Sequence, residues 1–234
     1  MGMTKRVRRA ATAMLRPFGL RVVEAREAAD FYLHRYDSYE QYRDVQIRHN
    51  LRKIGNVWAD ERTLTLMCDE LRRLLPGRDP LRGLCHGARN GFEQGFISAR
   101  PGFEAIGTDI SPTAADFPRS VVWDFHDPNP DWAGRMDFVY SNALDQSWNP
   151  RAALRTWLGQ LAPGGYVVIE HTDRHGPEGA SEMDPFGVRP SVMPYVLAEW
   201  FGDAVAVRFL KSRKPNKDMD VWLFFVRVTG DLPA

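Results

Sequence analysis

Short hydrophobic runs and longer amphipathic stretches alternate along the chain from residue 81 onward. The short runs predict strands over 81–86, 103–108, 120–124, 136–141 and 166–171, and the amphipathic stretches predict helices over 91–98 and 150–161. A helix over 192–201 and two strands, over 204–210 and 221–228, are predicted to follow. Because strands separated by helices form parallel sheets with right-handed crossovers, this pattern predicts an α/β sandwich.

The chain before residue 80 has a different pattern. Residues 24–36, 39–54 and 59–75 contain no proline and are predicted to be helical. We therefore expect residues 1–79 to form a basic N-terminal segment and a helical cap. Residues 80–234 are expected to form the core of the same single domain. The polar stretch 172–191 is rich in glycine and proline, and a loop of that length is typical of a functional lid.

Polar residues stand where three of the predicted strands end: Asp109, Asp124, and the pair Ser141 and Asn142. The first strand runs into a loop that begins and ends with glycine, at Gly87 and Gly91. A doubly wound sheet binds nucleosides at the carboxyl ends of its strands, where such groups meet. Glycine suits this loop because the backbone turns sharply there and passes close to ligand atoms.

The order and spacing of these features, with the turn Leu-Ala-Pro-Gly-Gly at 161–165, resemble the class I S-adenosylmethionine-dependent methyltransferases. The resemblance covers roughly residues 80–228. It implies a Rossmann-like three-layer sandwich with a seven-stranded, mostly parallel sheet and an antiparallel C-terminal edge strand. It also implies S-adenosyl-L-methionine as cofactor and S-adenosyl-L-homocysteine as product. The chain departs from the family's pattern in the loop, where Arg89 replaces the middle glycine and Cys85 the acidic residue.

The resemblance assigns cofactor contacts to individual positions. Asp109 is expected to accept hydrogen bonds from the ribose, and Asp124 and Phe125 are expected to contact the adenine. The expected cofactor residues are Gly87, Arg89, Asn90, Gly91, Asp109, Ile110, Asp124, Phe125, Ser141 and Asn142. Alternatives stay open: Arg89 pairs with the methionine carboxylate or points to solvent, Asp109 caps a helix, and Asp124 caps a loop.

Methyl transfer from a sulfonium is an in-line displacement, and an alcohol acceptor also needs a base. His171 is the first candidate for the base because it directly follows an apolar strand and should point into the cleft. Asp145 is the second candidate, and a structural hydrogen bond beneath the lid is the alternative for His171. No strong metal motif is present, so we expect no metal, although an oxygen-rich site could be formed by Asp145, Glu170, Asp173 and His175.

The N-terminal cap is expected to bind the acceptor. Aromatic and polar side chains on one helix suit a hydroxylated small molecule such as a sugar, and the expected residues are Tyr39, Tyr42, Arg43, Gln46 and Asn50. A plain amphipathic helix that packs its tyrosines on the sheet explains the same pattern. His126, beside the adenine position, is expected to be structural or to face the cofactor.

Composition limits the partners. The chain has 31 basic and 30 acidic residues, a net charge of +1, so nucleic acid is an unfavourable acceptor. No apolar run is long enough to span a membrane, and the two cysteines are expected to be reduced thiols in a cytoplasmic protein. Six basic residues precede the first acidic one and alternate with apolar residues. They form either a solvated arm or an amphipathic segment on an anionic membrane surface.

These observations together predict a methyltransferase that acts on oxygen of a small molecule or of a sugar or glycan building block. The sequence leaves a homo-oligomer open. A catalytically inactive nucleoside-binding scaffold is the alternative, because the glycine loop is altered. An NAD(P)-dependent oxidoreductase ranks third, since such enzymes usually keep all three glycines close to the N-terminus.

Overall fold

The computed structural model describes residues 5–23 and 29–233. Its helices and strands in chain order are α1 (Lys5–Leu15), β1 (Phe31–Leu33), α2 (Tyr39–Arg52), α3 (Glu61–Leu74), β2 (Leu81–His86), α4 (Phe92–Ser98), β3 (Phe103–Asp109), β4 (Ser120–Val122), β5 (Met136–Ser141), α5 (Pro150–Gln160), β6 (Leu161–Thr172), β7 (Phe186–Val188), α6 (Met193–Phe201), β8 (Val205–Lys214) and β9 (Met219–Val228). The strands of the core lie where they were predicted, but β6, β8 and β9 are longer and β4 is shorter, ending at Val122.

A seven-stranded sheet in the order β4-β3-β2-β5-β6-β9-β8 divides the molecule into three layers. The strands from β4 to β6 are parallel, and β9 lies antiparallel between β6 and β8. The predicted Rossmann-like sheet with antiparallel pairing at its C-terminal edge is therefore confirmed. Strand order reverses between β2 and β5, and ligands bind at such a reversal in open α/β sheets.

Alternating residues of the central strands fill two cores. Phe138 packs with Leu64 and Met67 of α3 on one face of the sheet, and Val139 packs with Trp157 of α5 on the other. All five side chains are fully buried. Since successive residues of a strand point to opposite faces, one short apolar run holds both helical layers in place. Truncation of Phe138 to alanine would cost about 3–5 kcal/mol.

The N-terminal cap contains a strand that the sequence pattern did not predict. Residues 24–28 of the predicted helix over 24–36 lie outside the described residues, and Phe31–Leu33 form β1 instead of helix. This strand pairs antiparallel with β7, with Tyr32 opposite Gly187. A partner strand thus overrides the local helical pattern, since strand formation depends on its neighbours more than on intrinsic preference.

The predicted lid, residues 172–191, is held against the cap along its length. β7 lies within it, and the Tyr36 hydroxyl donates a hydrogen bond to the carbonyl of Glu182. The side-chain amide of Gln46 donates to the carbonyl of Met183 at 3.2 Å. We call residues 172–191 the lid segment.

Helix α1 is the first element of the described residues. Its Thr12 hydroxyl accepts a hydrogen bond from the backbone of Val22 at 3.1 Å. Met14 is 79% exposed and Phe18, just after the helix, is 76% exposed. Within the described residues, no helix is both long and apolar enough to cross a membrane. Cys68 and Cys85 are free and buried, as expected.

Candidate functional site

The loops that follow β2, β5 and β6 enclose a cavity of about 570 Å³. The loop after β2 contributes Arg89 and Asn90, the loop after β5 contributes Asn142 and Asp145, and the lid segment closes the cavity with Arg174, His175 and Asp184. The connection between α2 and α3 adds Asn56 and Trp58. We call this space the main cavity.

A second space, the narrow pocket, adjoins the main cavity and holds only about 20 Å³. Gly87 and Arg89 border both spaces. The narrow pocket is lined on the sheet side by Asp109, Ile110, Asp124 and Phe125, and on the α2 side by Tyr42, Gln46 and Asn50. The expected nucleoside-binding positions after β2, β3 and β4 therefore come together around one pocket.

The glycine loop keeps a left-handed backbone at each of the three positions where the family has glycine. The φ angles are 74° at Gly87, 38° at Arg89 and 80° at Gly91. A Cβ atom on Gly87 would lie 2.5 Å from the Cβ of Ala143, which explains why glycine is needed there. Arg89 adopts this conformation at a cost of roughly 1–3 kcal/mol. Its N–H donates to Oδ2 of Asp109 at 3.1 Å, and its guanidinium donates to the carbonyl of Asn56 at 3.3 Å.

Two carboxylates on the sheet side of the narrow pocket already hold internal hydrogen bonds. Asp109 accepts from the backbone of Arg89 and, at 2.9 Å, from that of Ser111, and burial raises its pKa. Asp124 accepts from the Tyr39 hydroxyl at 2.7 Å and from His126 Nδ1 at 2.6 Å. Burial alone would raise the pKa of Asp124, but the hydrogen bonds from His126 and Tyr39 bring it below the usual value. Oδ1 of Asp124 also accepts from the backbone N–H of His126 at 2.9 Å, which uses both of its lone pairs, so Oδ2, the acceptor from Tyr39, is the oxygen open to a ligand.

Three of the five residues expected to bind the acceptor border the narrow pocket. Tyr42, Gln46 and Asn50 face the narrow pocket instead of the main cavity, and Tyr39 contacts Asp124. Arg43 is exposed and borders neither space. The reason is that α2 turns its polar face inward, across the ends of β3 and β4. That these five residues contact the acceptor stays a prediction.

Three of the expected cofactor positions have structural contacts. Ser141 is fully buried, donates to the carbonyl of His86 at 2.9 Å and accepts from the N–H of Ala143 at 3.0 Å. Gly91 is the N-cap of α4 and packs against Gln94 and Phe117. Asn90 borders the main cavity, where its amide donates to the carbonyl of Ile54 at 2.9 Å.

His171 does not point into the cleft as predicted. Its side chain is buried beneath the lid segment, and its Nε2 lies 2.8 Å from the carbonyl oxygen of Val188. A carbonyl only accepts hydrogen bonds, so Nε2 of His171 carries the proton and Nδ1 does not. Burial lowers the pKa of His171 to about 4, which keeps the ring neutral. This arrangement matches the structural alternative better than the role of base.

His175, one turn further along the lid segment, is the histidine that borders the main cavity. Its Nδ1 lies 3.3 Å from the unprotonated Nδ1 of His171 and therefore donates to it. The Nε2 atom of His175 is consequently left without a proton, free to accept one. Burial lowers the pKa of His175 well below its usual value. A series of hydrogen bonds from Val188 through His171 thus fixes the tautomer of His175.

Asp145 completes this group from the loop after β5. Its Oδ2 lies 3.7 Å from Nε2 of His175, and its Oδ1 is buried without a hydrogen-bond partner in the described residues. Burial raises the pKa of Asp145 well above its usual value. Burial therefore disfavours the charged form of both Asp145 and His175. A buried acceptor atom without a partner points to a ligand that would supply the donor.

A buried polar network lies behind the main cavity. Asn142 donates to Glu93 at 3.0 Å, the Tyr140 hydroxyl donates to Glu170 at 2.7 Å, and Lys214 forms an ion pair with Glu170. Lys214 and Glu170 are both fully buried. Burial raises the pKa of Glu93 to about 7. The network fixes the position of Asn142 at the end of β5.

Several cavity residues lay outside the set predicted from the sequence: Lys53, Glu93, Arg174, Asp184 and Lys217. One signal in the sequence identifies the face of α2 that lines the narrow pocket. Residues 42, 46, 49 and 50 of α2 follow helical spacing and are polar or aromatic, which is unusual for the buried face of a helix. Within residues 5–23 and 29–233, no three His, Cys, Asp or Glu side chains are grouped as metal ligands.

No protein-family model matches the sequence, and a comparison with curated proteins gives no match. Solved structures match over most of the chain. The 1,6-didemethyltoxoflavin-N1-methyltransferase of Burkholderia thailandensis, solved with its namesake ligand and S-adenosylhomocysteine, is 14% identical with a TM-score of 0.63, over 84% of this chain and 93% of that one. A putative methyltransferase of Haloferax volcanii, in complex with the activator Trm112, is 16% identical with a TM-score of 0.60, over 82% and 100%.

The cyclase SpnF is a third match, at 13% identity and a TM-score of 0.55, over 80% of this chain and 94% of that one. The chain therefore has the fold of the class I S-adenosylmethionine-dependent methyltransferases. Because a cyclase has the same fold, the fold does not by itself define the reaction. The reaction has to be argued from the residues of the site.

Proposed function

We propose that this protein transfers a methyl group from S-adenosylmethionine to an oxygen atom of a small molecule bound in the main cavity. The observation that carries the proposal is the unprotonated Nε2 of His175, buried beside Asp145 in a cavity that adjoins Asp109 and Asp124. A base at the acceptor and carboxylates for the nucleoside are the two parts that such a reaction needs.

The donor groups around the narrow pocket fit the cofactor. Asp109 would accept from the ribose hydroxyls, Asp124 and Phe125 would bind the adenine, and Arg89 would pair with the methionine carboxylate. When bound, S-adenosylmethionine supplies an electrophilic methyl group on its sulfonium. The pocket as it stands has room for about one water molecule, so α2 must shift outward to admit the nucleoside.

The residues of the main cavity would then remove the proton of the acceptor's hydroxyl group. His175 would accept the proton of the acceptor's hydroxyl as that oxygen takes the methyl group. The Asp145 carboxyl, 3.7 Å from Nε2, would lie beside the imidazolium so formed. The lid segment excludes water from this reaction. His171 contributes as a positioning residue, because its Nδ1 holds His175 in the tautomer that leaves Nε2 free.

The enclosed cavity supports a small-molecule acceptor. A sugar or glycan building block remains a narrower prediction. The aromatic residues of α2 that suggested a sugar lie over the narrow pocket, which weakens this prediction. A panel of nucleotide sugars and lipid-linked glycans, assayed for methyl transfer, tests this prediction. Absence of turnover with every member would remove it without affecting the proposed cofactor.

We also propose that α1 rests on an anionic membrane surface. The support is the combination of Arg6, Arg9 and Arg16 with the exposed side chains of Met14 and Phe18. Basic residues attract anionic headgroups, and exposed apolar side chains insert between them. A cytoplasmic location is consistent with this contact and stays a prediction.

Calorimetric titration with S-adenosylhomocysteine, NAD and NADP tests the cofactor. Micromolar binding of S-adenosylhomocysteine alone, lost in Asp109→Ala and retained in Asp116→Ala, is the expected result. Asp116 is exposed and serves as the matched control. Binding of a nicotinamide cofactor instead would overturn the proposal. Binding of S-adenosylhomocysteine without methylation of any acceptor, unchanged by His175→Ala, would favour the nucleoside-binding scaffold.

A further inference from the structure

The main cavity contains more positive than negative charge. Lys53, Arg89, Arg174 and Lys217 border it, and within the described residues none of the four forms a salt bridge. Its carboxyl groups are Glu93, Asp145 and Asp184. Burial raises the pKa of the first two, which reduces their negative charge near neutral pH. Lys53 and Arg174 are exposed, and Arg89 and Lys217 are half-buried. A cavity bordered by more positive than negative charge attracts anionic ligands.

One of these cations, Lys217, lies next to Trp58. The Lys217 ammonium lies 4.1 Å from the centroid of the Trp58 ring and donates to the carbonyls of Val57 and Trp58 at 3.3 Å. An ammonium has three protons, so one remains for a ligand. Burial and the neighbouring Lys214 and Arg174 lower the pKa of Lys217, the effect expected where positive charges lack a counter-ion.

Trp58 also links this group to the base. Its ring centroid lies 5.5 Å from that of His175, so the ammonium of Lys217 and the imidazole contact the same indole. The indole Nε1 is buried and has no hydrogen-bond partner among the described residues. His49 Nε2, on the α2 side of the cavity, is buried and unpartnered as well. Buried polar atoms without a hydrogen-bond partner indicate a ligand whose groups would pair with them.

We propose that the acceptor carries an anionic oxygen group, a carboxylate or a phosphate, which Lys217 and Arg174 hold while its hydroxyl lies at His175. This inference rests on the proposed function, because it names the class of acceptor for the same reaction. Arg89 is left for the cofactor, since it borders both the main cavity and the narrow pocket. The acceptor would be compact, because Lys217, which would hold its anionic group, and His175, which would hold its hydroxyl, contact the same indole.

Calorimetry on the full chain saturated with S-adenosylhomocysteine tests the anion site, with benzoate, phenyl phosphate and benzyl alcohol as probes. We expect benzoate or phenyl phosphate to bind at least about tenfold more tightly than benzyl alcohol, as one charge-assisted contact provides. Preference for benzoate identifies a carboxylate, and preference for phenyl phosphate identifies a phosphate. Equal affinity for the alcohol, or no binding of either anion, would overturn the proposal.

Four variants identify the group responsible. Lys217→Gln is expected to lose about tenfold or more in anion affinity, and Lys217→Arg to retain it. Lys211→Gln removes the same charge from an exposed residue that pairs with Asp220, and should bind like the wild type. Unchanged anion affinity in Lys217→Gln, or an equal loss in Lys211→Gln, would contradict the assignment. Arg174→Gln provides the same test if Lys217→Gln does not fold.

The two proposals fail in different ways. If S-adenosylhomocysteine does not bind, the proposed function falls, and the same titrations on the ligand-free protein still decide whether Lys217 binds anions. If S-adenosylhomocysteine binds and the anions do not, the cofactor stands and the class of acceptor is wrong.

Discussion

The hydroxyl of Tyr39 donates a 2.7 Å hydrogen bond to Oδ2 of Asp124, across 85 positions of the sequence. Burial raises the pKa of Tyr39, so the phenol stays protonated and remains a donor over the working range of pH. This contact attaches the start of α2 to the segment that directly follows β4. It uses the carboxylate oxygen that the proposed function assigns to the amino group of adenine.

Tyr39→Phe is therefore expected to strengthen the binding of S-adenosylhomocysteine by about two- to tenfold, the value of one hydrogen bond that no longer has to be broken. Calorimetric titration measures the change. Tyr36→Phe, which removes a phenol bonded to the lid segment instead of to Asp124, is the control and should have a smaller effect. Weaker binding in Tyr39→Phe would mean that the phenol contacts the cofactor directly.

His175→Ala is expected to lower kcat by about 10²- to 10⁴-fold, the usual contribution of a general base, without changing the Kd for S-adenosylhomocysteine. His34→Ala, outside both cavities, is the control. Activity depends on the neutral form of His175, and burial lowers the pKa of this residue. The rate of the wild type should therefore be constant between pH 7 and 8 and decrease only at acidic pH.

His171→Ala distinguishes a positioning residue from a base. Without the Nδ1 acceptor, His175 can adopt its other tautomer, so we expect a smaller loss of kcat than in His175→Ala and an altered acidic limb of the pH–rate profile. The pH dependence of kcat for both variants provides the measurement. A loss in His171→Ala as large as in His175→Ala, with the acidic limb removed, would restore His171 as the base.

The buried ion pair of Lys214 and Glu170 predicts a strong effect on stability. Lys214→Met should lower the free energy of unfolding by about 3–5 kcal/mol, because it leaves a charged carboxylate in the interior. The double variant Lys214→Met/Glu170→Gln should be more stable than Lys214→Met, since no charge then remains unpaired. Urea unfolding of the set measures both effects.

An exposed pair serves as the control for that experiment. Lys211→Met breaks the contact of Lys211 with Asp220 and is expected to cost at most about 1 kcal/mol, since exposed pairs contribute little. If the double variant is no more stable than Lys214→Met, the lysine stabilises the fold by packing and not by charge.

Co-sedimentation with vesicles tests the membrane proposal. The full chain should sediment with phosphatidylglycerol vesicles and not with phosphatidylcholine vesicles, and added salt should release it. The double variant Met14→Glu/Phe18→Glu should remain in solution. Tyr195→Glu replaces a residue as exposed as Phe18, at 76%, on a different surface and should sediment like the wild type. Equal sedimentation of all three forms would exclude α1 as the contact.

The positions of the core strands along the chain were predictable because each apolar run of the core ends at a glycine, proline or polar residue. The strand Phe31–Leu33 was not predictable, since it forms through pairing with β7, some 155 residues away in sequence. The positions of Asp109 and Asp124 followed from the strand ends at which they stand. These features depend on local pattern and on the geometry common to parallel sheets.

The roles of the two histidines required the structure. His171 and His175 both stand at the end of β6 in sequence, and only the distances to Val188, Asp145 and each other show which nitrogen is free. In the same way, the inward direction of the polar face of α2 depends on how the cap packs on the sheet. A sequence pattern identifies the face of a helix but not the surface that this face meets.

The pairing of β1 with β7 has a consequence for kinetics. β1 leads directly into α2, which covers the narrow pocket, and β7 belongs to the lid segment, which covers the main cavity. A movement of α2 that opens the narrow pocket is therefore coupled, through the pairing of β1 with β7, to a movement of the lid segment that opens the main cavity. Under the proposed function, the nucleoside product and the methylated product would leave through one shared opening event. The rate of that event would set a common upper limit for the release of both.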